Sequence, residues 1–320
     1  MSNTFGDKFR LTTYGESHGL AVGGIIDGCP SQVRLDMEAI RSDLARRRLG
    51  APRQEEDEIE WLSGLKDGVT LGTPITFCIR NKNTRSEDYD LLADCYRPGH
   101  ADYTYQQKYG IRDHRGGGRA SARETVSRVV AGAIAKQLLA PVEIHAETEC
   151  ANASMRECVS KDDTLGGIVS CRITGLPAGI GDPIFGKLNA QLAFAMMSIP
   201  SAIGFEMGAG FKAAEMKGSE YIDRWEECGN VGMRECVSAN AITKTNHCGG
   251  VQGGISNGMP VEFRVAFHPV VSIPQPIECL HDDGSLKTIY LEGRHDRWHI
   301  ERAAVVVEAM AALTIINYKL

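Results

Sequence analysis

The sequence predicts an α+β fold, and three observations predict it. Strand-like and helix-like segments follow one another without the regular strand–helix–strand rhythm of a parallel sheet. No Gly-x-Gly-x-x-Gly follows the first strand, which disfavours a Rossmann domain. No repeat, low-complexity stretch or Pro/Gly/Ser tract divides the 320 residues, so one compact domain over 1–320 is expected.

The elements follow in order. Ala21–Asp27 reads as a strand after a turn, and Ser31–Arg48 as a helix with Leu35, Ile40 and Leu44 inward. Ile75–Ile79 is a short apolar strand. A helix is expected from about Ala122 to Leu139, because Val126, Val129, Val130, Ala133, Ile134 and Leu138 recur at helical spacing. Ser121 and Glu124 have the Ser-x-x-Glu spacing of a capping box at its start. Gly167–Thr174 reads as a strand and Pro183–Met197 as a helix. Val261–Phe267 alternates as a strand should, and Ala303–Ile316 is an apolar closing helix.

Composition excludes several classes of function. At 42% apolar and 24% charged the chain is globular, and no apolar run is long enough to span a bilayer. The first ten residues have no apolar core and no small-residue cleavage site, so no signal peptide is expected there. The ten cysteines are scattered singly without a Cys-x-x-Cys, which encodes neither a zinc knuckle nor a redox dithiol. Reduced, buried thiols in a cytoplasmic enzyme without a metal site are the expectation. A net charge of −6 argues against a nucleic-acid partner. Positive charge is nonetheless clustered. Seven Lys/Arg face three Asp/Glu between Arg97 and Arg128, and Arg46-Arg47-Arg48 stands near Arg53. Such clusters on an acidic protein suit a small polyanion.

The most informative run is Arg115-Gly116-Gly117-Gly118-Arg119-Ala120-Ser121-Ala122-Arg123-Glu124-Thr125. It sets three glycines and three arginines at the mouth of a helix, where backbone N–H groups are unpaired and the dipole is positive. Glycine lets backbone approach a ligand, and arginine adds fixed charge. The run is a seat for phosphate or carboxylates. Gly15-Glu16-Ser17-His18-Gly19 matches the serine-hydrolase elbow only in letters. That motif needs a helix after the turn, and strand-like Leu20–Ile26 follows instead. The turn rather presents a hydroxyl and an imidazole together. Arg97-Pro98-Gly99-His100 is a turn that brings a second arginine and histidine close, fit to bind a phosphate and protonate it as it leaves. Cys248–Gly258 is a glycine-rich loop that either lies against a flat ligand or simply turns before the next strand.

Seven segments, in order along nearly the whole chain, resemble chorismate synthases. They are residues 10–19, Asp43–Arg48, Arg97–Asp102, Gly116–Thr125, Gly249–Ser256, Gly293-Arg294-His295-Asp296 and Val306–Met310. The resemblance implies helices sandwiched between antiparallel sheets, and a homotetramer. It implies the last step of the shikimate pathway towards aromatic amino acids. That step is a redox-neutral 1,4-anti elimination of phosphate from 5-enolpyruvylshikimate 3-phosphate to chorismate, dependent on reduced FMN, with NADPH a candidate reductant. Such an anionic load explains the arginines. By position, the resemblance implies substrate contacts at Ser17, His18, Arg47, Arg53, Arg97, His100, Arg123 and Arg294. His18 and His100 match the proton-delivering histidines, and Asp296 the proposed base. Flavin contacts are implied at Arg119, Ala120, Ser121, Pro200, Ser201, Gly253 and Arg294, and along His268-Pro269-Val270-Val271-Ser272.

The chain also departs from that pattern. His268–Ser272 replaces the usual Lys-Pro-Thr-Ser-Ser, which removes a lysine and two hydroxyls from the expected flavin wall. Gln54-Glu55-Glu56-Asp57 stands where a basic stretch is usual, Arg297 replaces a proline, and residues 141–165 are shortened. These changes motivate a second reading, a non-catalytic flavin- or metabolite-binding homologue.

Overall fold

Two antiparallel sheets enclose a layer of helices. The computed structural model describes residues 3–51, 53, 55–84, 86–149, 163–226, 243–290 and 299–320. The first sheet runs in the order Thr4–Phe5, Arg10–Tyr14, Ala21–Asp27, Ile75–Arg80, Ile59–Ser63, with every neighbour antiparallel. The second runs Ala202–Met207, Val261–Phe267, Gly167–Thr174, Glu143–Thr148, again antiparallel. Along Val261–Phe267 every other side chain is buried, so one sheet face turns to the helices. A smaller sheet of Leu286–Tyr290, Pro276–His281 and Cys95–Tyr96 leads directly into the turn holding Arg97 and His100.

The Thr125–Leu139 helix packs on the first sheet and the Ile300–Lys319 helix on the second, and the two helices pack on each other. Gly132 makes their approach possible, because a Cβ there would overlap the Cα and Cβ of Ala309. From Ala303 to Ile316 every residue of the closing helix is buried, as its all-round apolar sequence dictates. Glu308 is the exception in chemistry. Its carboxylate accepts from Arg46 Nη1 and Nη2 at 2.7 Å each, from Lys136 Nζ at 3.1 Å and from the Ala146 backbone N–H at 3.0 Å. Asp43 completes the cluster, 2.5 Å from Lys136 and 3.3 Å from Arg46. Burial pushes the Glu308 carboxyl up, but Arg46 and Lys136 outweigh it and hold it below its ordinary value.

The strand at Ala21–Asp27 and those at Gly167–Thr174 and Val261–Phe267 stand where the sequence predicts them, and the Ile75 strand runs one residue further, to Arg80. All four helix starts differ, and the closing helix begins three residues before Ala303, at Ile300. The first helix begins at Met37 rather than Ser31, because Asp36 Oδ1 accepts from the N–H groups of Glu38 and Ala39 at 2.9 and 3.0 Å. Residues 32 and 33 instead bond to Thr70. Ala122–Glu124 is a tight 3-10 turn, and the α-helix starts at Thr125. Ser121 Oγ accepts from the Arg123 N–H at 3.3 Å, but the Glu124 carboxylate turns to Thr13 and Arg128, so the expected capping box stays open. The helix expected from Pro183 begins at Leu188, whose N–H donates to the Gly254 carbonyl at 2.7 Å. Among the described residues no helix is long and apolar enough to cross a membrane.

Replacing Glu308 with Ala leaves Arg46 and Lys136 half-buried without their shared carboxylate. Urea unfolding is expected to register a loss of about 3–5 kcal/mol, the usual cost of breaking a buried ion pair.

Candidate active site

Three helix ends meet at one place. They are the C-terminal end of Met37–Arg48 and the N-terminal ends of Thr125–Leu139 and Ile300–Lys319, which contribute Arg47, Thr125 and Arg302 to a common cavity wall. Two adjoining chambers lie there, of about 450 and 190 Å³. Arg47, Tyr89, Gly116, Ser121, Ala122 and Arg302 line both.

The narrower chamber gathers Ser17, His18, Arg47, Arg53 and Arg123. Asn81 fixes the 16–19 turn by donating to the carbonyls of Glu16 and Gly19 at 3.0 and 2.9 Å. Ser17 Oγ donates to the Gly116 carbonyl at 3.2 Å, while His18 Nδ1 lies 3.1 Å from Ser86 Oγ and its ring stands edge-on to Tyr89. Strand Ala21–Asp27 follows this turn, and Ser17 and His18 face different partners, so no hydrolase elbow forms. Arg47 donates to Thr125 Oγ1 at 3.0 Å and to the Ala122 carbonyl at 2.9 Å, and burial lowers it to about 10. Arg53 reaches the Ser17 carbonyl and Glu55, and Arg123 pairs with Asn81 and Asp57. Arg123 Nη2 is buried and has no hydrogen-bond partner among the described residues.

The acidic run at 54–57 thus does not simply replace basic surface. Glu55 and Asp57 are buried and face the arginines, and Asp57 takes a left-handed conformation with φ 54° to do so. Burial pushes the Glu55 carboxyl up, but Arg53 and the N–H groups of Asn83 and Lys82 hold it below its ordinary value.

The wider chamber holds Arg97, His100, Ala120, Ser121, Pro200, Ser201, His268, Val270, Val271 and Ser272. The glycine run explains how both imidazoles fit. A Cβ at Gly116 would strike the His18 ring, and one at Gly117 would press on His100 Cε1 and Nε2 at 3.0 Å. Behind His100 stands Asp102, buried, with Oδ1 2.8 Å from His100 Nδ1 and Oδ2 2.8 Å from Arg97 Nε. Burial pushes the Asp102 carboxyl up, but the bonds from His100 and Arg97 prevail and hold it well below the usual carboxylate range. Ser201, at φ 67°, places its hydroxyl 2.9 Å from His299 Nε2.

Several expected contacts lie elsewhere. The Arg119 side chain turns away from both chambers to the carbonyls of Thr13 and Gly15 and the Thr13 hydroxyl, and exposed Arg115 bonds Asp113. Of the three arginines in the run, only Arg123 faces the site. Gly253 sits at the tip of the Val251–Ser256 hairpin and lines neither chamber, and Pro269 is exposed beside the wall. Arg294 and Asp296 lie outside the described residues. Tyr89, His299 and Arg302 line the chambers but belong to no motif in the sequence, and Thr125 stands at the end of the glycine–arginine run. A helix-start position facing Arg47 is the one signal that would have found Arg302.

A family model described as chorismate synthase matches residues 9–152 and 142–320. The chorismate synthase of Cytophaga hutchinsonii is 46% identical, covering 100% of this chain and 98% of that protein. The chain belongs to the chorismate synthase family. The chorismate synthase of Opitutus terrae is 44% identical over 99% of this chain and 96% of its own length. A crystal structure of chorismate synthase superposes with a TM-score of 0.74 at 28% identity, covering 98% of this chain and 92% of that one. The family's α+β architecture of helices and antiparallel sheets is therefore the fold of this chain. Alignment with the Cytophaga protein spans 362 positions for a 320-residue chain, so that relative carries residues absent here. The family model's two pieces meet at 142–152, within the stretch the sequence marks as shortened.

Asp102 carries a pH signature. Its folded value lies below the ordinary carboxylate value of about 3.9, so its ionisation stabilises the fold above that pH and the contribution fades below it. In Asp102→Asn, urea midpoints measured between about pH 4 and pH 2 should fall less steeply than in the parent.

Proposed function

We propose that the two chambers bind 5-enolpyruvylshikimate 3-phosphate and eliminate its phosphate in the 1,4-anti sense to give chorismate. One observation carries this reading. Two imidazoles, His18 and His100, are cradled by adjacent glycines of one run, with Arg47, Arg53, Arg97 and Arg123 around them. The substrate loses a C6 proton and its bond to the 3-phosphate, so the balance is redox-neutral. Arg123, with one buried nitrogen unengaged, and Arg47 are placed to receive substrate anions. His100 delivers a proton to the departing phosphate, and His18 is the second proton donor. Asp296 is the candidate base on the resemblance alone.

The wider chamber fits reduced FMN. Its volume, the wall of Pro200, Ser201, His268, Val270 and Val271, and the hydroxyls of Ser121 and Ser272 suit a ring system with polar edges. Gly99 supports this, because a Cβ there would crowd Val271 of that wall. When bound, reduced FMN, with NADPH one source of its electrons, supplies the electron-rich partner that no side chain offers. His268 takes the place of the usual lysine at this wall. No finding favours the non-catalytic reading. The continuous core supports one domain over 1–320. Exposed Phe185, Phe194, Ile203 and Phe211 offer apolar surface for a homotetramer, and the buried cysteines are consistent with a cytoplasmic enzyme.

Dithionite-reduced FMN and 5-enolpyruvylshikimate 3-phosphate, mixed anaerobically with the protein, should release chorismate and phosphate in equal amounts. Flavin binding without either product would overturn the catalytic reading. His100→Ala should slow turnover about 10²–10⁴-fold in that assay, and activity within a factor of two would remove its role. Arg123→Ala should chiefly weaken substrate binding in a titration, and unchanged affinity would make Arg123 a structural residue.

A further inference from the structure

We infer that Asp102 is a positioning residue for proton delivery, the group that allows His100 and Arg97 to stand together as two cations and that fixes the His100 proton on Nδ1. The inference rests on the reading of His100 as the acid of the elimination.

Arg97 Nη2 lies 3.1 Å from His100 Nδ1 and 3.2 Å from Nε2. Only a group over the ring's face can be nearly equidistant from both nitrogens, so the guanidinium does not occupy either lone pair. A permanent cation in that place opposes a charged imidazole. Yet the imidazolium is the form that has a proton to give. Asp102 resolves this opposition. It accepts from Arg97 through Nε at 2.8 Å, Nη2 at 3.0 Å and the backbone N–H at 3.2 Å, and it faces His100 Nδ1 at 2.8 Å. A carboxylate oxygen that close to Nδ1 requires a hydrogen on Nδ1, since two lone pairs would repel. Nε2 is then the nitrogen that gives its proton, beside the bare Gly117, on a ring that itself lines the wider chamber. In the step, the Nε2–H bond breaks and an O–H bond forms on the leaving phosphate. The imidazole returns to its neutral form with Nδ1–H still donated to Asp102. The Asp102 side chain is only 3% exposed, so water does not substitute for it, and its depressed carboxyl stays ionised throughout.

The test is a double-mutant cycle with pre-reduced FMN. Asp102→Asn is expected to lower kcat about 10–10³-fold with KM changed less than about threefold, and Asp102→Glu to recover at least part of the loss. The double variant with His100→Ala should be no slower than His100→Ala alone, because both act on one proton. Losses that multiply would overturn the inference and make Asp102 merely structural. Failure of the His100 reading is distinguishable, because His100→Ala would then keep its activity. The native protein gives a check that needs no folded Asp102 variant. The ¹⁵N imidazole signals of His100, assigned by their loss in His100→Ala, should report a protonated Nδ1 at neutral pH. A bare Nδ1 would overturn the inference.

Discussion

A single buried carboxylate holds the architecture of the site. Glu308 binds Arg46 of the first helix, Lys136 of the central helix and the Ala146 N–H of the second sheet, from its own place in the closing helix. Each of these three helices also delivers a side chain to the cavity, and it does so within two or three turns of the cluster. Arg46 and Arg47 show the economy of the sequence. Neighbours on a helix point about 100° apart, so one basic pair serves the core with its first member and the ligand chambers with its second. Removal of the central charge would therefore loosen the relative seating of all three walls.

The same logic of internal pairing runs through the site. Arg53 meets Glu55, Arg123 meets Asp57, and Arg97 meets Asp102. A cluster of guanidinium groups in a cavity this small repels itself unless carboxylates are folded in with it. Two backbone positions show the cost of that arrangement. Asp57 and Ser201 both sit in the left-handed region, one beside the arginines and one in the wall of the wider chamber. Strain of this kind persists where the surroundings over-determine it, as they do when a buried ion pair or a cavity wall must be met.

Much of this is legible in the sequence. The strand at Val261–Phe267 is plain because its period-2 apolar pattern has few alternatives, and those at Ala21–Asp27 and Gly167–Thr174 are legible as short apolar segments. The start of the first helix is not, because Leu35 continues the apolar spacing while Thr70 draws residues 32 and 33 into a turn from far along the chain. In the site, His18, His100 and Arg123, which the sequence marks by their motifs, stand together in the walls of the two chambers. Arg119 misled for a physical reason. Sequence records that an arginine is near a helix mouth, but not that the Thr13 and Gly15 carbonyls lie within its reach on the other side. His299 and Arg302 belong to no motif, and only the meeting of helix ends brings them to the cavity.

The inward-facing Glu55 and Asp57 also bear on selectivity among anions. Glu55 and Asp57 offset part of the charge of the five arginines that line the narrow chamber. A singly charged visitor, such as a chloride or a simple carboxylic acid, gains little there over its hydration in water. A molecule bearing several negative charges on a rigid ring engages several arginines at once, and its contacts reinforce one another. The built-in carboxylates thus act as a threshold, raising the number of charges a ligand must carry before the chamber prefers it to solvent.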